Sequence, residues 1–145
     1  MIFATEAELI DFAKSLGASL RSAEKTKAIE LIGDVGAGKT TFTRGLALGL
    51  GISEPITSPS FNISKRYPID RSRELVHYDF YRLDDPGLMS FELAEVLQEP
   101  SAIIVIEWAG TVANLLPANR LKIEFKILPD GSRELTFNNK PELPL

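Results

Sequence analysis

IELIGDVGAGKTTFTRGLALGLG, residues 29–51, sets an apolar run directly before a glycine cluster and a helix-forming stretch directly after it. Glycine weakens regular structure because its backbone has the most freedom to lose, so Gly33, Gly36, Gly38 and Gly45 need another purpose. Residues 33–40, Gly-Asp-Val-Gly-Ala-Gly-Lys-Thr, fit G-x-x-x-x-G-K-[ST] and stand between a predicted strand, Ala28–Ile32, and a predicted helix from Lys39. In that frame glycines let the chain curl until successive N–H groups point inward as an anion nest, and the following helix adds its positive end. Lys39 brings a full charge for the β- and γ-phosphates, and Thr40 brings a hydroxyl for Mg²⁺. With average Gly usage of about 7%, the pattern arises by chance in only about one chain of this length in a few hundred, and more rarely still in this frame, against the alternative of a glycine-rich loop with a surface lysine. The glycines are therefore read as a polyphosphate cradle.

Downstream of the cradle, Phe42, Leu46 and Leu50 recur on one face of a second helix, which Gly49 and Gly51 stop. Upstream, Thr5 and Glu8 form a capping box ahead of Leu9, Phe12, Ala13 and Leu16 at helical spacing, and Gly17 ends that first helix. SEPITSPSFNISKRYP, residues 53–68, reads as a loop and then an edge strand. ELVHYDFYRL, residues 74–83, alternates: Leu75, His77, Asp79 and Tyr81 share one face, and Val76, Tyr78 and Phe80 the other. Asp85 before Pro86 starts a helical region carrying Leu88, Phe91, Leu93, Val96 and Leu97. AIIVIEW, residues 102–108, is the continuous apolar run of a central strand covered on both faces. LKIEFKIL and RELTF flank Pro129-Asp130-Gly131 as a C-terminal hairpin. The fold class expected is α/β: a single P-loop NTPase-like domain, residues 1–137, with a mixed, mainly parallel central sheet flanked by helices. Residues 138–145 read as a loose tail.

Composition narrows the function classes. The 145 residues suffice for one domain with one sizeable core, and 44% hydrophobic with 25% charged content is that of an ordinary globule. Without cysteine, disulfides, a thiol nucleophile and a Cys-based zinc site are excluded, which suits a reducing compartment. MIFATEAELI has no basic leader before an apolar stretch, and no apolar run approaches the roughly 20 residues that span a bilayer. A cytoplasmic protein with no membrane partner is expected. The net charge of −4 opposes broad neutralisation of nucleic-acid phosphates, so no DNA partner is expected.

A cradle alone hydrolyses nothing; a metal-holding carboxylate and a group that positions a nucleophile are also needed. In open α/β sheets ligands collect beyond the carboxyl ends of the strands, where Glu107 closes the buried run Ile103–Ile106. Glu107 is the first candidate acid and Asp79 the second. His77, the lone histidine, is read as packed and hydrogen-bonded rather than catalytic. Ser58 and Ser60 in TSPSF stand equally as a γ-phosphate-sensing switch or as an ordinary Ser/Pro turn. Lys65, Arg66, Arg71 and Arg73, interleaved with Asp70 and Glu74, read as a solvated hairpin, with an acidic partner or a tRNA backbone as the lesser reading. Asn139-Lys140-Pro141-Glu142 departs too far from a guanine-reading motif to count, which favours ATP over GTP.

Four segments together, GDVGAGKTTFTRGL, TSPSF, HYDFYRL and IEWAG followed by LLP, resemble the TsaE family of bacterial tRNA threonylcarbamoyladenosine biosynthesis ATPases, from about Ile29 to Leu128. The resemblance implies a small P-loop sheet with flanking helices that binds ATP with Mg²⁺ and hydrolyses it slowly alone. It implies the partners TsaB and TsaD, which install threonylcarbamoyl on adenosine 37 of tRNA, so that tRNA is met indirectly through the complex. Carried over by position, Asp34, Val35, Gly36, Ala37, Gly38, Lys39, Thr40 and Thr41 become the nucleotide loop. Thr40 and Glu107 become Mg²⁺ contacts, Asp79 becomes essential for turnover, and Trp108 becomes part of the site wall or partner surface. Ser60 stands where Thr is usual and keeps the hydroxyl; Ala109-Gly110-Thr111 stands where many members have Pro and then polar or charged residues.

The expected chemistry is ATP hydrolysis to ADP and phosphate at an incomplete site. Lys39, Asp79 and Glu107 are the catalytic set, with Asp79 orienting either the attacking water or the metal's shell. Arg44, Arg66 and Arg82 are internal candidates for an arginine finger, with a partner the other source. Two other readings share the cradle: a small-molecule kinase, and a nucleotide-dependent assembly module whose hydrolysis only resets it.

Overall fold

The apolar run Ile103–Glu107 is buried at every position because it is the fifth strand of seven and has parallel neighbours on both sides. In the computed structural model, residues 1–22, 25–57, 64–81 and 87–138 are described. Their elements, in chain order, are β1 (Ile2–Phe3), α1 (Glu6–Leu20), β2 (Lys27–Ile32), α2 (Lys39–Leu50), β3 (Ser64–Pro68), β4 (Glu74–Asp79), α3 (Leu88–Val96), β5 (Ile103–Glu107), β6 (Leu121–Ile127) and β7 (Arg133–Phe137). The sheet order is β1-β7-β6-β2-β5-β4-β3. The four central strands β6, β2, β5 and β4 run parallel, and β1, β7 and β3 add antiparallel edges. The fold is α/β with a mixed sheet, as the sequence predicts. Among the described residues no helix is long and apolar enough to cross a membrane.

Register positions the site. Leu31 of β2 and Asp79 of β4 both lie opposite Glu107 of β5, so three parallel strands finish level at one carboxyl edge. Alternation sends Leu75, Ile103, Val105, Ile29 and Leu31 into the core under α1 and α2, and Val76, Tyr78, Ile104 and Ile106 into a second core that includes Leu93 and Val96 of α3. The second core is closed by Ala109, Val112 and Leu116, from the short 3-10 turns that follow β5.

Several boundaries differ from the sequence reading. Gly17 does not end α1, which continues to Leu20, and Gly49 lies inside α2, where only Gly51 acts as the left-handed cap. Gly45 is not part of the cradle. All three internal glycines lie where α1 and α2 touch. A Cβ on Gly17 would stand 2.2 Å from the Leu46 carbonyl oxygen, one on Gly49 2.0 Å from that of Lys14, and one on Gly45 2.7 Å from that of Ile10. Only hydrogen fits between backbones that close. At the first helix, Thr5 Oγ1 accepts from the Glu8 N–H as a capping box requires, while the Glu8 carboxylate reaches back to the Ala4 N–H at 2.8 Å.

α3 begins after Gly87, leaving Leu88 and Phe91 84% and 69% exposed while Leu93 and Val96 are buried. β1 is an addition the sequence did not announce; it pairs Ile2 with Glu134 and Phe3 with Arg133. The hairpin turns at Gly131, whose φ is 87°, with its N–H on the Leu128 carbonyl. Asn138 is tied to Lys122, whose N–H donates to Asn138 Oδ1 at 2.7 Å. Residues 139–145, with the Asn139–Glu142 segment, lie outside the described residues, as do Asp85 and Pro86.

Candidate active site

The loop between β2 and α2 folds as the glycine spacing dictates. Asp34 accepts from the Ala37 N–H at 3.1 Å, closing a turn, and Ala37 packs into the core behind it. Gly36 and Gly38 have φ of 85° and 109°, values that carry a Cβ penalty for other residues. A Cβ at Gly36 would meet nothing within 4 Å, so the loop is open on that side. Gly38 has no side chain to cap α2, and no acidic residue occupies the first turn, leaving the helix's first N–H groups and positive end for an anion.

Lys39 is 5% exposed, as is Glu107. Its Nζ donates to the Gly33 carbonyl at 2.5 Å, stands 3.8 Å from Glu107 Oε1 and lies 4.3 Å from the centre of the Trp108 ring. Glu107 Oε2 is 2.6 Å from Nε2 of His77, which is fully buried. With Glu107 as a carboxylate, which only accepts, the proton of this contact is assigned to Nε2. His77 Nδ1 is buried without a partner among the described residues, a state that costs about 1–3 kcal/mol. Asp79 Oδ1 accepts from the Tyr81 N–H at 2.9 Å. Burial, and then the neighbouring Glu107 charge, push the Asp79 carboxyl above its ordinary value, against the pull of the Tyr81 N–H and Lys39.

Trp108 follows Glu107 in a left-handed conformation, φ 56° and ψ 49°, the one described residue other than glycine with positive φ. That conformation costs about 1–2 kcal/mol and turns the ring back over Lys39. Tyr81 packs against it, with ring centres 4.8 Å apart.

A cavity of about 500 Å³ opens here. Val35, Gly36, Gly38, Lys39, Thr40 and Thr41 form its floor, and Asp79, Glu107 and Trp108 form a wall. Asp34 is exposed and contributes its carbonyl to the turn, while Ala37 anchors the loop from behind. Ser58, Ser60 and Arg82 lie outside the described residues. Arg44 is exposed on the outer side of α2, and Arg66 is paired with Glu74 and Glu92 on the far edge of the sheet; neither lines the cavity.

Sequence reasoning missed the opposite wall. Phe3, Thr5, Glu6 and Leu9 enter from the N-terminus, and Thr41 Oγ1 donates to Glu6 Oε1 at 3.3 Å. Arg133 of β7 lies over the loop, with Nη2 donating to the Gly36 carbonyl at 3.3 Å and Nη1 to that of Gly131 at 2.6 Å. The signal for these residues was strand pairing: β1 and β7 meet at Phe3 and Arg133 beside the cradle.

The donor set fits a nucleotide with a hard cation. Thr40 offers a hydroxyl and Glu107 a carboxylate at one cavity. That suits Mg²⁺, which takes one or two carboxylates and completes its octahedron with phosphate oxygens and water.

Comparison with known proteins bears on the family and the fold. A family model described as "Threonylcarbamoyl adenosine biosynthesis protein TsaE" matches residues 3–135. The tRNA threonylcarbamoyladenosine biosynthesis protein TsaE of Bacillus subtilis is 42% identical over 109 residues, covering 75% of this chain and 67% of its own length. Relatives of the same name from Treponema pallidum and Borreliella burgdorferi are 40% and 39% identical, covering 80% and 89% of this chain and 84% and 92% of theirs. A crystal structure of Bacillus subtilis YdiB superposes with a TM-score of 0.75 at 35% identity, over 94% of this chain and 82% of that one.

Proposed function

This chain belongs to the TsaE family of threonylcarbamoyl adenosine biosynthesis proteins, and on that premise we propose that it binds ATP with Mg²⁺ and hydrolyses it slowly in support of tRNA threonylcarbamoylation, alongside TsaB and TsaD. The observation that supports this reading is the meeting of an open phosphate loop, a buried lysine and two strand-end carboxylates around one cavity.

The loop N–H groups and the start of α2 bind the β- and γ-phosphates, and Lys39, which lines the same cavity, adds its positive charge. Mg²⁺, when bound, would offset negative charge on the phosphate oxygens. Thr40 and Glu107 would hold it from the protein side. Asp79, level with Glu107 across the parallel pair, accepts a hydrogen bond from water at that edge, either the attacking water or one in the metal's shell. Hydrolysis breaks the bond between the γ-phosphorus and its bridging oxygen, leaves ADP and inorganic phosphate, and releases the water proton to solvent.

Turnover alone is slow. Among the described lining residues the cations are Lys39 and Arg133, and Arg133 already donates to two carbonyls. An arginine supplied in trans raises such rates by about 10³–10⁵. The test is phosphate release with and without the TsaB and TsaD counterparts from the same source. Low basal release that rises in the complex supports the reading; rapid release by the isolated chain, unchanged by partners, refutes it.

A further inference from the structure

We infer that His77 is the positioning residue that keeps one oxygen of Glu107 turned toward the metal side of the cavity and off Lys39. The inference rests on the Mg²⁺-nucleotide reading above.

His77 lies one pleat deeper than Asp79 on the same face of β4, paired in register with Val105, and it does not line the cavity. It therefore acts through the group it touches. Glu107 is divided between two neighbours: Oε2 is held by His77 Nε2 at 2.6 Å, and Oε1 stays 3.8 Å from Lys39 Nζ, beyond a direct hydrogen bond. Lys39 meanwhile has the Gly33 carbonyl and the Trp108 ring to hold it. Without the imidazole N–H, Glu107 is a buried carboxylate beside one ammonium group, and it closes onto that group. The closure uses up both the charge meant for phosphate and the oxygen meant for the cation.

The second observation is the unpartnered Nδ1. His77 is fully buried, with Leu75 on its own strand and Val105 opposite it both in the apolar core, and a leucine would fill that place without leaving a polar atom unsatisfied. Packing does not account for an imidazole there. The hydrogen bond to Glu107 does. A partner behind a metal-binding side chain that fixes its direction contributes about 10- to 100-fold to metal affinity when tested by substitution.

The experiment compares wild type, His77→Leu and His77→Gln by calorimetric ADP binding across a Mg²⁺ series, with thermal melting as a check on folding. Gln places an N–H where Nε2 stands; Leu places none. The Mg²⁺ concentration giving half its full effect on ADP affinity is expected to rise about 10- to 100-fold in His77→Leu and to return toward wild type in His77→Gln. A merely structural histidine would lower the melting midpoint in both variants and leave that Mg²⁺ concentration unchanged, and this result overturns the inference. Gln behaving as badly as Leu also overturns it. If His77→Leu does not fold, His77→Asn, polar but lacking a donor at the Nε2 position, carries the same expectation. Wild type binding ADP with no response to Mg²⁺ would instead sink the metal reading itself, and the inference with it.

Discussion

Gly49→Ala tests whether the glycines of α2 are there for the helix end or for the helix pair. A Cβ at Gly49 would sit 2.0 Å from the Lys14 carbonyl oxygen and 2.7 Å from the Ala18 nitrogen, where ordinary contact begins at 3.4 Å, a shortfall of about 1.4 Å (3.4 less 2.0). Both obstacles are backbone atoms, so no side chain can swing away and α1 must part from α2. Overpacking of this kind costs about 1–3 kcal/mol, and a backbone obstacle places it at the upper end. Alanine's better helix propensity returns about 1 kcal/mol, leaving a net loss of about 2 kcal/mol. For a domain near this size each kcal/mol moves the melting midpoint by about 2–4 °C, so a fall of about 4–8 °C is expected. Urea denaturation should show a lower midpoint with an unchanged slope. Gly110→Ala is the control: a Cβ there meets nothing within 4 Å, so the gain of about 0.4–1 kcal/mol from a stiffer unfolded chain should raise the midpoint by about 1–4 °C. If Gly49→Ala melts at or above the wild-type temperature, the close approach of the two helices is not what that glycine serves.

Lys39→Ala removes a charge-assisted contact worth about 1.5–3 kcal/mol, so calorimetry should record about 10- to 150-fold weaker ATP binding; unchanged affinity would exclude the lysine from the phosphate site. For Asp79 the sign follows from its raised carboxyl. The folded state holds the proton more tightly than the unfolded chain, so this group contributes stability below the ordinary carboxylate range and loses it as pH rises through the raised value. Asp79→Asn abolishes that loss, so its stability advantage over wild type should be greater at pH 7 than at acid pH. Equal differences across the range would contradict it. The same variant should retain ATP binding and lose phosphate release.

What could be read from residues alone was whatever repeats or closes a pattern. The strand before Gly33 and the helix after Lys39 announce themselves by their apolar spacing, and Glu107 by ending an apolar run, so the two halves of the site could be found separately. That Asp79 and Glu107 stand level is a matter of register between β4 and β5, which no local pattern states. Glycines posed the opposite difficulty. Gly36, Gly45 and Gly51 are the same letter in an open loop, a helix contact and a helix cap; the 2.7 Å approach to the Ile10 carbonyl marks Gly45, while Gly36 and Gly51 share a φ of 85° and differ only in the elements around them. Arg133 and Phe3 reach the cavity because a two-residue strand pairs with the last one, and two residues carry no periodicity.

The neighbours of β2 have a consequence for how the protein comes into being. The strand that launches the phosphate loop ends at Ile32, yet the strands that clasp it, β5 and β6, are contributed by residues 103–107 and 121–127. A nascent chain emerging from the ribosome therefore presents the complete glycine motif long before anything flanks the strand beneath it. Such long-range pairing is formed late and slowly. The nucleotide binding proposed above would then come close to the final event of maturation, and a prematurely ended polypeptide bearing the whole motif would lack the strands that hold it in place.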